Sequence, residues 1–365
     1  MTGCTASSMK TKKTKLKIYI KADMNLHEMI AKLDTEDQFK VLSDSYKQIE
    51  YAWNNDFNTS AINTSIIKNI ILTGLGGSAI GGDLIHNYLR SELNYPYSVN
   101  RNYELPRYVN EETLLIVSSY SGNTEETISA LNEAIRKKCQ IVCVSTGGTI
   151  EQIAKKNKIP FAELQKGFQP RYALWINFFT LLKTLHSLKL VPSQSEDVQL
   201  AIGLLKRKSS EYSTPGNKAV EIAEKLLGFI PVVYSVSDYS SAVAARWKGQ
   251  INENSKQHAF FGYLPELNHN EILGWEGYKT NMNFKLINIL DDDYHIQVKK
   301  RFELTSEMVR KAGAEIINII SDEENIKLRL VDMIYLGDWV TYYYGIMRGY
   351  DPTSIDSINY LKEHL

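Results

Sequence analysis

The sequence predicts an α/β protein built from two doubly wound parallel sheets with flanking helices and a C-terminal helical tail. Short apolar runs typical of buried strands alternate with helical patterns, as in parallel sheets whose crossover connections are helices. The alternation occurs twice, before and after the segment 191–195 (Val-Pro-Ser-Gln-Ser). In addition, two strand–helix junctions in the first half are rich in glycine and hydroxyl residues.

The first half of the chain supplies the first series of elements. Leu26, Met29, Ile30 and Leu33 recur at helical spacing, so one or two amphipathic helices are expected between residues 24 and 57. Strands are predicted at 70–73, 114–118, 140–145 and 159–162, and helices at 79–90, 124–138, 150–157 and 173–188. We therefore expect a parallel sheet with helices on both faces.

The second half repeats the pattern after residues 191–195, whose proline and serines predict a linker. Strands are predicted at 230–235, 284–290 and 315–320, and helices at 239–257, 296–312 and 328–347. The chain is thereby divided into a basic tail (1–23), a first domain with preceding helices (24–190), a second domain (191–348) and a tail (349–365). This last tail is expected to end in a short helix and to contribute to the site.

The composition is ordinary for a globular protein. Hydrophobic residues make up 43% of the 365 residues and charged residues 23%, and 42 basic residues balance 42 acidic ones. Nothing in this balance favours nucleic acid or a membrane surface as a partner. No apolar run approaches the roughly 20 residues that a transmembrane helix needs, and a cytoplasmic location is expected.

The three cysteines and the N-terminal segment argue against a secreted protein built on disulfides. Cys139 and Cys143 lie four residues apart on one face of a predicted buried strand, which favours a core role over a redox pair. Residues 1–21 contain six lysines and no acidic residue, without the apolar segment of a secretory signal. A disordered, solvated tail is favoured over an organelle-targeting segment.

The two glycine- and hydroxyl-rich junctions predict a phosphate site between neighbouring loops. Residues 74–83 read Gly-Leu-Gly-Gly-Ser-Ala-Ile-Gly-Gly-Asp, and residues 119–127 read Ser-Tyr-Ser-Gly-Asn-Thr-Glu-Glu-Thr. Each follows a predicted strand and opens a helix, whose N-terminus offers unpaired N–H groups and the positive end of the helix dipole. Ser119, Ser121 and Thr124 add hydroxyl donors that can converge on one phosphate.

Both junctions also have simpler explanations. Asn123, with Glu126 three residues later, resembles a capping box that would only begin a helix. The glycines of the first junction suit tight packing of a helix on a strand, although this does not explain the Ser78 hydroxyl. That junction lacks the Gly-Lys-Ser/Thr of a nucleoside triphosphate loop, and its glycine spacing differs from that of a dinucleotide-binding loop.

The second half contains a polar run at the end of an apolar helix. Residues 247–256 read Trp-Lys-Gly-Gln-Ile-Asn-Glu-Asn-Ser-Lys, and His269 follows within Asn-His-Asn-Glu at 268–271. A carboxylate such as Glu253 and an imidazole beside a sugar phosphate can move protons, although a solvated helix end and a loop histidine explain the same residues. No His-Glu-x-x-His pattern or Cys/His cluster occurs in the sequence, so no metal site is expected.

These segments together resemble one family. The two junctions, the run Pro-Arg-Tyr-Ala-Leu at 170–174, and the segments 252–254 and 268–271 are similar, in this order and spacing, to the bifunctional phosphoglucose/phosphomannose isomerases of the sugar isomerase (SIS) superfamily. The resemblance covers residues 24–365. It implies two SIS-type subdomains and an aldose–ketose isomerase that interconverts glucose 6-phosphate and mannose 6-phosphate with fructose 6-phosphate through a cis-enediol(ate).

The resemblance also implies which residues bind the substrate phosphate. Ser119, Ser121 and Thr124 match the hydroxyl groups that hold the phosphate in the family. Gly77 and Ser78 match the sugar-phosphate contacts of the first junction.

Four further residues match the catalytic groups of the family. Arg171 matches an arginine that stabilises the enediolate, and Glu253 matches the base that carries a proton between C1 and C2. His269 matches a histidine that helps to open the sugar ring and comes from the partner subunit of a homodimer. Lys362 matches a C-terminal lysine near the ring oxygen, and Thr353 is the nearest candidate for a threonine linked to mannose 6-phosphate acceptance.

The implied reaction needs no cofactor, because it requires only a phosphate anchor, groups for ring opening, one carboxylate and a cation near the enediolate. The enediol has no stereochemistry at C2, so protonation on either face gives the gluco or the manno sugar. Trp247 and the aromatic segment 260–263 are expected to desolvate Glu253. The alternative is a non-enzymatic sugar-phosphate-binding regulatory protein of the same fold, which would not need Glu253, His269 or Lys362.

Overall fold

A computed structural model describes residues 25–364, except for the side chain of Thr280. The basic tail predicted at 1–23 lies outside the described residues. Within them the predicted α/β class is confirmed, because two parallel sheets are each flanked by helices. None of the helices described is both long and apolar enough to cross a membrane.

The first sheet has five parallel strands in the order β2-β1-β3-β4-β5. The strands are β1 (Asn69–Thr73), β2 (Tyr97–Asn100), β3 (Thr113–Ser119), β4 (Gln140–Ser145) and β5 (Phe161–Glu163). Every residue of β3 is buried, as expected for a central strand covered on both faces. The chain order reverses between β1 and β3, and sheets of this kind bind ligands beyond the carboxyl ends of the strands at such a reversal.

The helices of the first half precede this sheet or cover it. They are α1 (Leu26–Leu33), α2 (Gln38–Ser43), α3 (Ser45–Asn54), α4 (Gly76–Tyr88), α5 (Glu125–Arg136), α6 (Gly148–Asn157) and α7 (Leu174–Ser187). Three short helices therefore replace the one or two expected over 24–57. The break before α2 is local: Asp37 caps α2 by accepting from the Lys40 N–H at 3.4 Å, and the Asp34 carboxylate accepts from the N–H groups of Gln38 and Phe39 at 2.7 and 2.8 Å.

The second sheet has four parallel strands in the order β7-β6-β8-β9 and repeats the topology of the first. The strands are β6 (Ile230–Val236), β7 (Phe260–Leu264), β8 (Phe284–Ile289) and β9 (Glu315–Ile319). The helices are α8 (Ser195–Tyr212), α9 (Lys218–Leu226), α10 (Ser241–Ser255), α11 (Ile296–Lys311), α12 (Ile326–Met347) and, in the tail, α13 (Asp356–His364).

The two halves of the chain share apolar contacts. Segment 191–195 leads directly into α8, and Val191 is buried rather than exposed as in a free linker. Trp175 of α7 packs edge to face against Tyr335 of α12, with ring centroids 6.1 Å apart. The division of the chain into domains at 190/191 stays a prediction.

Helices α10 and α12 lie unusually close to each other. A Cβ atom added to Gly337 would overlap the indole ring of Trp247, and one added to Gly345 would overlap the carbonyl oxygen of Asn254. Trp247 also donates a hydrogen bond from its indole Nε1 to the carbonyl oxygen of Met333, at 2.9 Å. Because α12 is buried along almost its whole length, this packing gives α10 a rigid support.

Candidate active site

The loops that follow β1 and β3 meet at the reversal point of the first sheet. A Cβ atom on Gly74 would lie 2.6 Å from the carbonyl oxygen of Ser118, so the two loops approach to backbone contact. Asn177 of α7 joins them, because its Oδ1 accepts a hydrogen bond from Ser118 Oγ at 2.9 Å and its Nδ2 donates to the Ser78 carbonyl at 3.5 Å. The two junctions singled out in the sequence thus form one crevice.

The hydroxyl groups of the second loop are brought together as the phosphate hypothesis requires. The oxygens Ser119 Oγ and Thr124 Oγ1 are hydrogen-bonded at 2.8 Å, and Ser119 Oγ also accepts from the Gly122 N–H at 3.2 Å. Ser121 is exposed, and its Oγ accepts from the Asn123 N–H at 3.3 Å. Gly122 has φ +70°, and a side chain there would overlap the carbonyl group of Gly147.

The capping-box explanation of this loop is wrong. Thr124, not Asn123, is the residue that precedes α5, and no side chain caps that helix. The Asn123 Oδ1 instead accepts hydrogen bonds from the backbone N–H and the hydroxyl of Thr149, both at 3.0 Å. The N-terminal N–H groups of α5 therefore have no capping side chain and remain available to an anion.

The first loop also contacts the segment that carries Arg171. A Cβ atom on Gly77 would lie 2.9 Å from the carbonyl oxygen of Pro170, which opens the short 3-10 helix Pro170–Ala173. Ser78 lies in the first turn of α4 and is buried. Gly77 therefore allows the phosphate crevice and Arg171 to lie side by side.

Arg171 joins three distant segments of the chain. Its side chain is 4% exposed, and its Nε donates to Oδ1 of Asn254 at 2.9 Å. Its Nη2 donates to the carbonyl oxygen of Pro352 in the C-terminal tail. Its Nη1 lies 3.6 Å from Oε2 of Glu253, whose side chain is 38% exposed. A buried cation thus faces an accessible carboxylate.

Lys256, which the sequence reasoning did not single out, holds the end of α10 and the tail together. Its Nζ donates to the carbonyl oxygens of Glu253 at 2.7 Å and Asp351 at 2.9 Å. Burial, together with the positive charge of Arg171, lowers the pKa of Lys256. The sequence feature that could have identified Lys256 is its position in the polar run 247–256, which also contains Glu253.

The tail residue Thr353 is buried next to these contacts. Its N–H donates to Oδ1 of Asp351 at 2.7 Å, whereas its Oγ1 has no hydrogen-bond partner among residues 25–364. The carbonyl of Pro352, one residue earlier, is the group bound by Arg171. A buried hydroxyl without a partner is costly unless something else satisfies it.

His269 and Lys362 do not join this constellation within the described part of one chain. His269 is exposed on the short 3-10 helix Glu266–His269 that follows β7. Lys362 is exposed on α13, which has no buried residue. Neither forms a hydrogen bond or an ion pair with Arg171 or Glu253 among the contacts of residues 25–364.

The expected aromatic enclosure of Glu253 is also not seen in the single chain. Trp247 is buried against α12, with its indole N–H directed to Met333. Phe260, Phe261 and Tyr263 are instead among the most exposed aromatic side chains described, at 52%, 40% and 40%. Between residues 25 and 364, no group of three or more His, Cys, Asp or Glu side chains is arranged to hold a metal ion.

Comparisons with known proteins agree in both halves of the chain. The family model of the SIS domain matches residues 66–162, and that of the bacterial phospho-glucose isomerase C-terminal SIS domain matches residues 216–365. A bifunctional phosphoglucose/phosphomannose isomerase from Caldicellulosiruptor bescii is 35% identical over 325 residues, 87% of this chain and 96% of the relative. A protein of the same name from Aquifex aeolicus is 34% identical over 331 residues, 90% of this chain and 98% of the relative.

A solved structure supports the fold. A hypothetical protein from Thermus thermophilus superposes with a TM-score of 0.73 at 14% identity, over 93% of this chain and 92% of that chain. At this identity the likeness concerns the fold alone, and it covers both sheets.

Proposed function

The chain belongs to the family of bifunctional phosphoglucose/phosphomannose isomerases, and from this premise we propose that it interconverts glucose 6-phosphate and mannose 6-phosphate with fructose 6-phosphate. It is therefore an isomerase. The observation that carries the proposal is the Arg171–Glu253 pair, a buried cation 3.6 Å from an accessible carboxylate. The pair adjoins, through Gly77, the crevice that holds the hydroxyl loop.

The phosphate of the substrate is assigned to the loop of Ser119, Ser121 and Thr124 at the N-terminus of α5. The hydroxyl pair and the uncapped N–H groups support this assignment, because the hydroxyl proton not used within the pair and the N–H groups can donate to an anion. Gly77 and Ser78 of the first loop are assigned to the sugar-phosphate chain. Anchoring the non-reacting phosphate positions C1 and C2 for proton transfer.

Glu253 is assigned as the base and Arg171 as the cation of the reaction. Glu253 takes a proton from C1 of the open-chain ketose while electron density shifts to O2, which gains a proton to become a hydroxyl. Glu253 then returns its proton to C2 while O1 loses its hydroxyl proton and becomes the aldehyde oxygen. The Nη1 of Arg171 faces Glu253 and stabilises the enediolate that forms between these steps. Return of the proton to one or the other face of C2 gives glucose or mannose 6-phosphate. The cycle moves only protons, so no cofactor takes part.

Ring opening is assigned to His269 and Lys362, with His269 supplied by the partner subunit of a homodimer. Three observations support this part of the proposal. His269 is exposed in the single chain, and among residues 25–364 it forms no hydrogen bond or ion pair with Arg171 or Glu253. It follows the edge strand β7, and the exposed aromatic side chains of that strand suit burial against a second copy. Phosphorylated sugars do not cross membranes, so we place the activity in cytoplasmic carbohydrate metabolism.

A sugar-phosphate sensor of the same fold is the rival function, and the site favours an enzyme. A sensor needs the hydroxyl loop, but it does not need a carboxylate held 3.6 Å from a buried arginine at the far side of the sugar. Sugar hydroxyls need only a hydrogen-bond acceptor, whereas a buried cation beside the carboxylate is what a developing enediolate needs. The Arg171–Glu253 arrangement is therefore explained by chemistry rather than by binding.

A coupled assay tests the proposal. Purified protein is mixed with mannose 6-phosphate, NADP and glucose-6-phosphate dehydrogenase without any other isomerase. NADPH should form, because the protein must convert mannose 6-phosphate to fructose 6-phosphate and then to glucose 6-phosphate. Activity on fructose 6-phosphate but not on mannose 6-phosphate would reduce the claim to a monofunctional isomerase, and inactivity on both would favour the sensor. Dialysis against a chelator should leave turnover unchanged, and a loss restored by zinc or manganese would contradict the metal-free mechanism.

A further inference from the structure

We infer that Asn254 is a positioning residue that fixes the guanidinium of Arg171 so that its Nη1 faces Glu253. The inference rests on the isomerase function proposed above and adds a residue whose side chain is directed into the protein. Asn254 follows Glu253 in the chain, but it is fully buried, whereas Glu253 is 38% exposed. Two adjacent residues of α10 thus both face Arg171, one with an exposed side chain and one with a buried side chain.

Two of the three guanidinium nitrogens of Arg171 are hydrogen-bonded to protein oxygens, and the third faces the site. Nε is bound by Asn254 Oδ1 at 2.9 Å, and Nη2 is bound by the carbonyl oxygen of Pro352. A guanidinium is planar and carries its donors in a fixed fork, so two bound nitrogens set the direction of the third. Nη1 is the nitrogen that points to Glu253. Without Asn254, the Pro352 carbonyl is the one hydrogen-bond acceptor among residues 25–364 that still holds the guanidinium.

The amide of Asn254 has one orientation that satisfies all of its neighbours. Its Nδ2 donates to Oγ1 of Thr341 at 3.1 Å, and the Thr341 hydroxyl donates its own proton to the carbonyl oxygen of Asp338 at 3.1 Å. Thr341 Oγ1 can therefore only accept from Asn254. Consequently the amide oxygen must face Arg171, and α12 determines the position of the acceptor for Nε.

A separate pair of charges fixes the backbone of Arg171. Arg246, Gln250 and Asn254 recur every fourth residue of α10 and so lie on one helix face. Arg246 Nη2 donates to the Arg171 carbonyl and to Asp338 Oδ1, both at 2.8 Å, and Gln250 Nε2 donates to the same Asp338 oxygen at 3.1 Å. Of these three residues, Asn254 is the one whose side chain contacts the guanidinium of Arg171. Its removal should loosen the Arg171 side chain while the backbone anchor remains.

A double-mutant cycle between Asn254 and Arg171 tests the inference. The variants are Asn254→Leu, Arg171→Ala and the double variant, assayed with fructose 6-phosphate. Asn254→Leu should lower kcat about 10- to 100-fold and change KM less than about threefold, because the phosphate loop is untouched. In the Arg171→Ala background the same change should lower kcat by less than about threefold. If Asn254 only filled the core, Asn254→Leu would lower kcat by the same factor in the wild-type and in the Arg171→Ala background.

Two further variants keep the test decisive if Asn254→Leu does not fold. Asn254→Asp retains an acceptor for Arg171 Nε but loses the Nδ2 donor to Thr341, so its kcat should fall less than that of Asn254→Leu. Thr341→Val removes the partner of Nδ2, and its loss of kcat should disappear in the Arg171→Ala background. Thermal unfolding of each variant shows whether a loss of kcat comes from lower protein stability or from a displaced Arg171 side chain.

The possible failures are distinguishable. A wild-type protein without isomerase activity overturns the proposed function, and this inference with it. An active wild type in which Arg171→Ala has no effect on kcat, or in which the two substitutions have additive effects, overturns the inference alone.

Discussion

The pairing of Arg171 with Glu253 places a fixed charge next to a charge that substrate can reach. The guanidinium is 4% exposed and is held by protein acceptors, whereas the carboxylate is 38% exposed. A preorganised cation in a site of low polarity stabilises a developing oxyanion more than the same cation does in water. The geometry therefore suits stabilisation of a charge that exists only during the reaction.

Glu253→Gln should abolish isomerisation and spare substrate binding. The amide keeps the size of the side chain but cannot accept the proton from C1, and loss of a general base typically lowers kcat by about 10²–10⁴-fold. Steady-state kinetics with fructose 6-phosphate measure the change. The matched control is Ser121→Ala, which removes an exposed hydroxyl of the phosphate loop and should mainly raise KM. Near-wild-type turnover in Glu253→Gln would show that the base is another residue.

The cysteines should be almost unreactive in the native protein. Burial raises the pKa of Cys143 to about 12 and that of Cys139 to about 11, against an ordinary value of about 8.5. At pH 8 the thiolate fraction of Cys143 is then on the order of 10⁻⁴. In a Cys4→Ser variant, a thiol reagent such as DTNB should react slowly with folded protein and rapidly after unfolding. Fast release of a full equivalent from folded protein would contradict the shielding of the half-buried Cys139 and the buried Cys143.

At the residue scale, the sequence predicted the groups that carry a chemical signature. Hydroxyl residues at a strand–helix junction identified Ser119 and Thr124, and the structure joins their oxygens at 2.8 Å. The acceptor that Pro352 offers to Arg171 could not be predicted, because a backbone carbonyl is present at every residue. The roles of Glu253 and the other assigned site residues remain predictions that the experiments above test.

At the element scale, the contact between α10 and α12 determines where the site residues of α10 lie. The two glycines of α12 let the helices approach until side chains and backbone touch. Gly345→Ala should therefore destabilise the protein by about 1–3 kcal/mol or more, because the added methyl overlaps the Asn254 carbonyl. Thermal or urea unfolding measures the loss, and kcat should fall as α10 shifts.

Gly203→Ala is the matched control for this substitution. Gly203 lies in α8, is exposed, and has no atom within 4 Å of an added Cβ. Alanine should stabilise this helix by about 0.5–1 kcal/mol relative to glycine. Equal effects of the two substitutions would contradict the close packing of α10 on α12.

Long periodic elements were predicted well, and two of the four edge strands were missed. The helices around α7, α11 and α12 and the buried strands of both sheets agree with the predictions within a few residues. The four-residue β2 and the five-residue β7 were missed, and most of their residues are exposed or half-buried, unlike those of the central strands. Helices α8 and α9 were also not predicted. They follow residues 191–195, which were interpreted as a linker.

At the scale of the whole molecule, the second sheet repeats the topology of the first but not its chemistry. The turn after β6 contains Ser240, whose Oγ is occupied by the Val236 N–H and the Tyr294 hydroxyl. The turn after β8 is acidic, and Arg329 binds Asp291 there at 2.7 Å. Such a crevice repels a phosphate rather than binding it. The second half of the chain therefore contributes to the site through α10, whose residues contact Arg171 of the first half.

Mixing two inactive variants tests whether the histidine acts across a dimer. Glu253→Gln and His269→Ala chains are combined under conditions that let subunits exchange. If His269 serves the partner's site, a mixed dimer has one intact site and one doubly damaged site. Random exchange makes about half of the dimers mixed, so roughly a quarter of wild-type activity should return. Verified exchange without recovered activity would show that the histidine acts within its own chain or that the dimer does not form.

The central claim is that one site makes both aldoses from a common enediol, with Glu253 as the base. It is tested most directly by following fructose 6-phosphate in D₂O by NMR with the wild-type protein and with Glu253→Gln. The account predicts that glucose 6-phosphate and mannose 6-phosphate both appear, that deuterium enters C2 only to the extent that the proton on Glu253 exchanges with solvent, and that Glu253→Gln stops both together. Formation of a single aldose, deuterium at a carbon other than C1 or C2, or loss of one activity while the other persists would contradict it.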